Sequence, residues 1–391
     1  MNLITFREPI TVAFKKSAGG QTITFEAGRS YLIANAQLER VMRDTNVTNR
    51  VYRISRAETR IENFNVWALP DAATMSSGRP ARRPRVLLFN GSGGYGDQIL
   101  TWPVAKVLND HYGCDVHVMT DPGNNVCWWN FDFVKSVQVT PMLWEQAKMY
   151  DYFVPLEAVV NMDEHQDQGH PVDMMLAKMG INPDLIPSEE KVVRPQFTQS
   201  ELGSLVTMLK LGKKIGLYQL SAANPVRCLP VNDSVFMMLK IAEATPETHW
   251  LALYDEFVPK EYKESLEAAV LERHLENVQA FCSPNLRELW ALTEHVSVVV
   301  APDSMMVHIA GVFGTPCVGL WGPMEPKKRV GYYKNHLALF HKEFCPHAPC
   351  FAYSNVFPRY CPPRPDTRKS CDVLAGISPA EVIKAVKQIQ R

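Results

Sequence analysis

Asp303, Ser304 and His308 stand where an apolar run gives way to a helix-like segment, and a junction of that kind can bind an anion. The run Val298-Val299-Val300-Ala301 is unbroken and apolar, with three β-branched valines, the pattern of a buried strand. Pro302 and Asp303 end it, and Asp303 is the expected N-cap of the helix that follows. A helix N-terminus exposes unpaired N–H groups and partial positive charge, which suit a diphosphate. Ser304 adds a hydroxyl, and His308, five residues past the expected cap, an imidazole. A second loop, Asn90-Gly91-Ser92-Gly93-Gly94-Tyr95-Gly96-Asp97, places a carboxylate among glycines, where a substrate hydroxyl can approach closely and lose its proton. Gly91, Gly93 and Gly96 also spell GxGxxG, and Asp121 falls near the end of the next strand. A NAD-dependent oxidoreductase is thus an alternative, although it leaves the Asp303 turn unexplained.

The elements that must position these groups form two series. Residues 1–75 read as a small β-rich module with strand-like runs at Ile10–Phe14, Thr22–Phe25 and Tyr31–Ile33 and a short helix at Gln37–Asp44; residues 76–84 read as a linker. From Arg85 strands and helices alternate. Arg85–Phe89 and Val116–Met119 are strands, with helices expected from about Gln98 to His111 and from His170 to Gly180. A second series runs through Ile215–Tyr218, Trp250–Tyr254, Val278–Phe281 and Val296–Val300. The expected division is an α/β chain with two facing Rossmann-like domains, 85–200 and 201–391, the second with a cysteine-containing tail and a final helix opened by Ser378.

Asp303, Ser304, His308, Ala310, Gly314, Pro316, Gly322 and Pro323 together resemble the signature of the family 9 glycosyltransferases, which include the ADP-heptose:lipopolysaccharide heptosyltransferases. Gly96, Asp97, Ile99 and Pro103 resemble that family's first-helix motif, and Arg227 with Pro230 its cation three residues before a proline. Met305 stands where the family has Gly, and Leu229 where it has Trp. The resemblance implies a GT-B fold and inverting transfer of a sugar from a nucleotide-diphosphate donor to an acceptor hydroxyl. Asp97 is then the general base, beside a glycine loop of Gly93, Gly94 and Gly96. Arg227, Asp303, Ser304, Met305 and His308 border the donor, and Asp255 or Glu256 reaches its ribose. No cofactor is required. His170-Pro171-Val172-Asp173 resembles a helix of the family's acceptor domain, packing of the last helix back on the first domain is expected, and Trp128 or Trp129 can stack on a sugar or base.

Charge is balanced at 41 basic and 41 acidic residues, yet residues 1–85 hold 14 Lys and Arg against 7 Asp and Glu. Arg50, Arg53, Arg56 and Arg60 crowd together there, so a polyanionic acceptor, either a lipopolysaccharide-type glycan or a hydroxylated base in DNA, is a candidate partner. A glycan- or nucleic-acid-binding protein without catalysis is the remaining alternative. No apolar run reaches membrane-span length, and the first residues lack signal-peptide character, which points to the cytoplasm. Cys345, Cys350, Cys361 and Cys371 follow C-x4-C-x10-C-x9-C; those gaps are not those of a ribbon or finger, favouring buried thiols or a cystine over a structural zinc.

Overall fold

Unbroken apolar runs become parallel strands in this chain, buried on both faces. The computed structural model describes residues 2–14, 21–33, 38, 51–56, 65–66, 82–90, 94–156, 169–202, 214–254, 260–283, 285–350 and 370–390. It divides into two units, residues 1–160 with 172–193 and residues 161–171 with 194–391.

In the first unit, β1 (Asn2–Phe6) pairs antiparallel with β4 (Ser30–Ile33) and with β5 (Val51–Arg56), while β2 (Ile10–Phe14) and β3 (Gln21–Phe25) form a hairpin. Phe6, Phe25 and Tyr31 fill the space beneath, with successive ring centroids 4.8 and 4.9 Å apart. After β6 (Asn65–Val66) come β7 (Arg85–Phe89), α1 (Tyr95–Asp110), β8 (Asp115–Thr120), β9 (Val134–Val139), β10 (Met142–Leu143), α2 (Trp144–Ala147), β11 (Tyr152–Pro155) and α3 (Pro171–Lys178). The parallel sheet has the order β6-β11-β7-β8-β9. β10 leaves it and pairs antiparallel with β4, Met142 opposite Leu32 and Leu143 opposite Tyr31. Leu32 then packs with Leu87, Phe89, Met119 and Met142, so the N-terminal sheet borrows β10 from the later chain and shares a core with the Rossmann-like layer. Arg82, in the stretch read as a linker, grips both oxygens of Asp151 at 2.6 and 2.7 Å. Arg83 pairs with Asp115 at 3.2 Å. The proposed helix at 37–44 lies outside the described residues apart from Leu38.

The second unit runs β12 (Lys214–Gln219), α4 (Val231–Ala244), β13 (Thr248–Leu253), α5 (Lys260–Glu272), β14 (Val278–Phe281), α6 (Leu286–His295), β15 (Val298–Pro302), α7 (Met305–Phe313), β16 (Cys317–Leu320), α8 (Lys327–Val330), β17 (His336–Leu339), α9 (Asp372–Ala375) and α10 (Pro379–Ile389). All six strands are parallel, in the order β14-β13-β12-β15-β16-β17. This is the doubly wound arrangement, and its order reverses between β12 and β15, which leaves a crevice at their carboxyl ends. Gly216 makes room for Trp250 next to it, since a Cβ there would lie 2.6 Å from the buried indole. α10 opens with a capping box of Ser378 and Glu381, with Pro379 in the first turn. Its Val382, Ala385 and Val386 join the core around Met238 and Ile241 of α4. Its apolar stripe thus completes the second unit's own core.

Candidate functional site

The crevice between β12 and β15 gathers four side chains from three segments. Ser304, not Asp303, caps α7: its Oγ accepts from the Met306 N–H at 3.3 Å and donates to the Gln219 side chain at the end of β12. Asp303 instead ends the strand, with its carbonyl taken by Arg227 Nη1 at 2.9 Å and its carboxylate 3.9 Å from the same nitrogen. Arg227 closes a short 3-10 turn whose start is capped by Asn224 Oδ1, accepting from Val226 N–H at 3.1 Å. The guanidinium is thereby fixed beside the α7 N-terminus. Met305, in the first turn of α7, turns its sulfur to the Trp290 indole N–H at 3.1 Å. Its bulk is directed at α6, and the turn forms without the glycine found in the family.

His308 lies one turn into α7 and is 5% exposed. Its Nδ1 faces the Tyr333 hydroxyl at 3.2 Å. Burial pushes its pKa down to about 3, assisted by the positive charges of Arg329, His170, His336 and Arg227, in that order. A neutral imidazole has one donor and one acceptor nitrogen. With Nδ1 engaged by Tyr333, Nε2 remains for a ligand. The cluster thus offers a helix N-terminus, a fixed guanidinium, a hydroxyl and a neutral imidazole, which together can hold a diphosphate.

In the first unit, α1 begins at Tyr95 with Gly94 as its N-cap, three residues earlier than expected. Asp97 is the third residue of the helix, and its Oδ2 accepts from the Gly94 N–H at 2.8 Å. Beneath it runs a buried polar network. Gln98 donates to the Asn90 carbonyl at 2.9 Å and accepts from the Trp128 indole N–H at 2.8 Å and from Thr120 at 3.3 Å. Asn90 in turn donates to the Asp97 carbonyl at 3.2 Å and to Thr101. The loop is therefore tied down from below, while the Asp97 side chain is half-buried at the helix start. Of the glycine loop, Gly94 and Gly96 are described, and Gly91 and Gly93 lie outside the described residues. Asp121, the acidic residue of the dinucleotide alternative, is buried and accepts from Thr140 at 3.1 Å.

Comparison with known proteins gives a family match in one part of the chain. Residues 257–361 match glycosyltransferase family 9 (heptosyltransferase). That match lies within the second unit. No curated protein matches the chain by sequence. Among solved structures, the glycosyltransferase resembles the E. coli ADP-heptose lipopolysaccharide heptosyltransferase II, at 11% identity and a TM-score of 0.57, over 78% of this chain and 98% of that one. A family 9 glycosyltransferase from Veillonella parvula gives 15% identity and 0.57, over 78% and 97%. The dodecameric iron-containing heptosyltransferase TibC, solved with ADP-D-β-D-heptose, gives 12% identity and 0.53, over 100% and 93%. TibC comes from enterotoxigenic E. coli. At these identities the likeness is one of fold, two Rossmann-like units of the GT-B class.

The remaining expected residues of the glycosyltransferase divide sharply. Asp255 and Glu256 lie outside the described residues, as does Cys361. Cys345 and Cys371 are buried and Cys350 is half-buried, all as free thiols. Among the described residues no group of three or more His, Cys, Asp or Glu is placed to share a metal. His170 lies in the second unit, its Nε2 facing the Arg329 carbonyl at 3.0 Å and its ring 4.5 Å from that of Tyr332. Trp128 is core, whereas Trp129 is 47% exposed. A cavity of about 580 Å³ is lined by Glu325, Lys327, Tyr333, His336 and Lys342 among others. None of the expected donor residues lines it, so it is not the donor crevice. No helix among the described residues is long and apolar enough to cross a membrane. Gln219, Tyr333 and Arg329 were not singled out from sequence. Gln219 alone had a signal, its place at the carboxyl end of a central strand.

Proposed function

We propose that this glycosyltransferase moves a sugar from a nucleoside-diphosphate donor to an acceptor hydroxyl with inversion. The observation that carries the reading is the convergence of Arg227, Ser304 and His308 at the point where the strand order of the second unit reverses. The α7 N–H groups and Ser304 receive the diphosphate, His308 donates to it, and Arg227 balances the charge that builds on it as the glycosidic bond breaks. Asp97 takes the proton of the acceptor hydroxyl as that oxygen attacks the anomeric carbon from the opposite side. A nucleotide heptose, as bound by the TibC neighbour, is the first donor to test. The acceptor is a hydroxyl on an anionic glycan or polymer, supported by the charge excess of residues 1–85, of which Arg82 and Arg83 are already committed to Asp151 and Asp115.

The test is a panel of nucleotide sugars and free nucleoside diphosphates in thermal-shift experiments. A true donor at a hundred times its Kd stabilises the fold by about 2.7 kcal/mol through mass action. A panel in which ADP-, UDP-, GDP- and CDP-linked sugars all leave the melting temperature unchanged would remove the donor reading.

A further inference from the structure

Arg329 sits on α8 and is 7% exposed. Its backbone is accounted for, with the N–H on the Pro326 carbonyl at 2.8 Å and the carbonyl facing His170 Nε2 at 3.0 Å. Its guanidinium has no hydrogen bond or ion pair with any described residue. The acids nearby in sequence are engaged elsewhere: Glu325 pairs with Lys328 at 3.4 Å, and Asp303 with Arg227. A largely buried cation without a counter-charge is a poor structural element, because much of its hydration is lost with no ion pair in return. Arginine also cannot escape by losing its proton.

What surrounds α8 indicates the missing anion. The segment that follows is clamped onto α7: Tyr333 lies against Gly311, where a Cβ would meet the ring at 2.2 Å, and its hydroxyl reaches His308. His170 braces the same segment through Tyr332. Arg329 is consequently held beside the helix whose N-terminus faces the crevice, and of all nearby charges it has the largest effect on His308, ahead of Arg227. Two arginines from segments about a hundred positions apart thus act electrostatically on one imidazole.

We propose that Arg329 is a second phosphate-binding cation of the donor site, acting with Arg227 on the diphosphate of the nucleotide. This deepens the proposed function and rests on it. The guanidinium offers five N–H donors in a planar fork that matches two phosphate oxygens. It carries positive charge into a site where His308 stays neutral. Without ligand it destabilises the fold, and the diphosphate supplies its partner.

The experiment compares Arg329→Met and Arg329→Lys with the wild type, using ADP, UDP and GDP as probes, by calorimetric titration and by melting with and without each probe. The expected result has two parts. Arg329→Met melts at the wild-type temperature or higher when ligand-free, yet binds the recognised nucleoside diphosphate at least tenfold more weakly, while Arg329→Lys keeps part of the affinity. Unchanged affinity in Arg329→Met overturns the proposal. So does a Met variant that melts lower while the Lys variant binds no better, since that pattern marks a structural residue. The donor reading fails separately: in that case the wild type itself binds none of the three diphosphates. If the wild type binds and Arg227→Ala weakens binding but Arg329→Met does not, only the role of Arg329 is lost.

Discussion

Replacing Gln98 with Leu removes the centre of the polar network under Asp97. Gln98 is fully buried, and so are its partners Asn90, Thr120 and Trp128. Leucine fills most of the same volume, so the cost comes from hydrogen bonds and not from a cavity. The Trp128 indole N–H loses its acceptor at 2.8 Å and has nothing to replace it. An orphaned buried donor costs about 1–3 kcal/mol. The Asn90 carbonyl loses one donor but keeps the Thr120 hydroxyl at 3.1 Å, a loss of about 1 kcal/mol. The expected total is about 2–4 kcal/mol. For a unit of this size each kcal/mol lowers Tm by roughly 2–4 °C, giving a fall of about 5–15 °C. Scanning calorimetry reads it directly, with Thr120→Val as an internal standard. Thr120 makes only the longer contacts of 3.1 and 3.3 Å, so its loss is expected to cost no more than about 1 kcal/mol. Because Asn90 holds the Asp97 carbonyl, turnover should fall further in Gln98→Leu than nucleotide affinity does. A Gln98→Leu protein melting within about 2 °C of wild type, or no lower than Thr120→Val, would refute the assignment of the network as a support.

Asp97→Asn keeps an acceptor for the Gly94 N–H and should leave nucleotide affinity nearly intact while lowering turnover by roughly two orders of magnitude or more; unchanged transfer rates would exclude the general-base role. Arg227→Ala should weaken diphosphate binding and slow turnover together, whereas His308→Gln should mainly weaken binding, a split visible in KM and kcat. Acid should destabilise the protein through His308 and His336, whose burial lowers their pKa values to about 3 and about 4. As pH falls below about 6.5 the unfolded chain binds protons that the folded chain does not, so stability present above that pH is lost, at up to about 1.4 kcal/mol per pH unit for His308. Melting scans between pH 7 and 5 should show a shallower slope for His308→Gln, and identical slopes would count against the burial argument. Deleting residues 1–75 should yield an insoluble or early-melting protein and not a trimmed enzyme, because Leu32 and the pairing of β4 with β10 leave with them; a soluble truncation with wild-type Tm would contradict the shared core.

Much of this was legible because the parallel strands announce themselves. Val298–Val300 and Val86–Phe89 are continuous apolar runs, and each leads directly into a turn containing the chemistry. The helix starts were less legible. Asp303 and Ser304 are equally good N-caps by type, and the choice was made by Arg227 and Gln219, which are 76 and 85 positions away in sequence. Arg329 and Tyr333 gave no signal, since their meaning depends on α8 lying against α7. The pairing of β10 with β4 rests on two residues, too short a run for any periodicity to show. The partner of α10 was hidden for a related reason: its apolar stripe is plain from spacing, but spacing does not name α4 as the surface that covers it.

That two-residue strand also has a bearing on how the chain is made. Met142 follows Ile33 by 109 positions, so β4 must wait for its partner while the ribosome adds β5 through β9. At about 5–20 residues per second the wait lasts roughly 5–20 seconds. Throughout it, one side of β4 presents open N–H and C=O groups, the kind of edge to which a neighbouring nascent chain can add. Closure of the N-terminal sheet is thus a late event, reported by the arrival of Leu143. Crowded polysomes, slow codons before that position or a shortage of holding chaperones would each lengthen the exposure, and yield would depend on translation speed as much as on the stability of the finished fold.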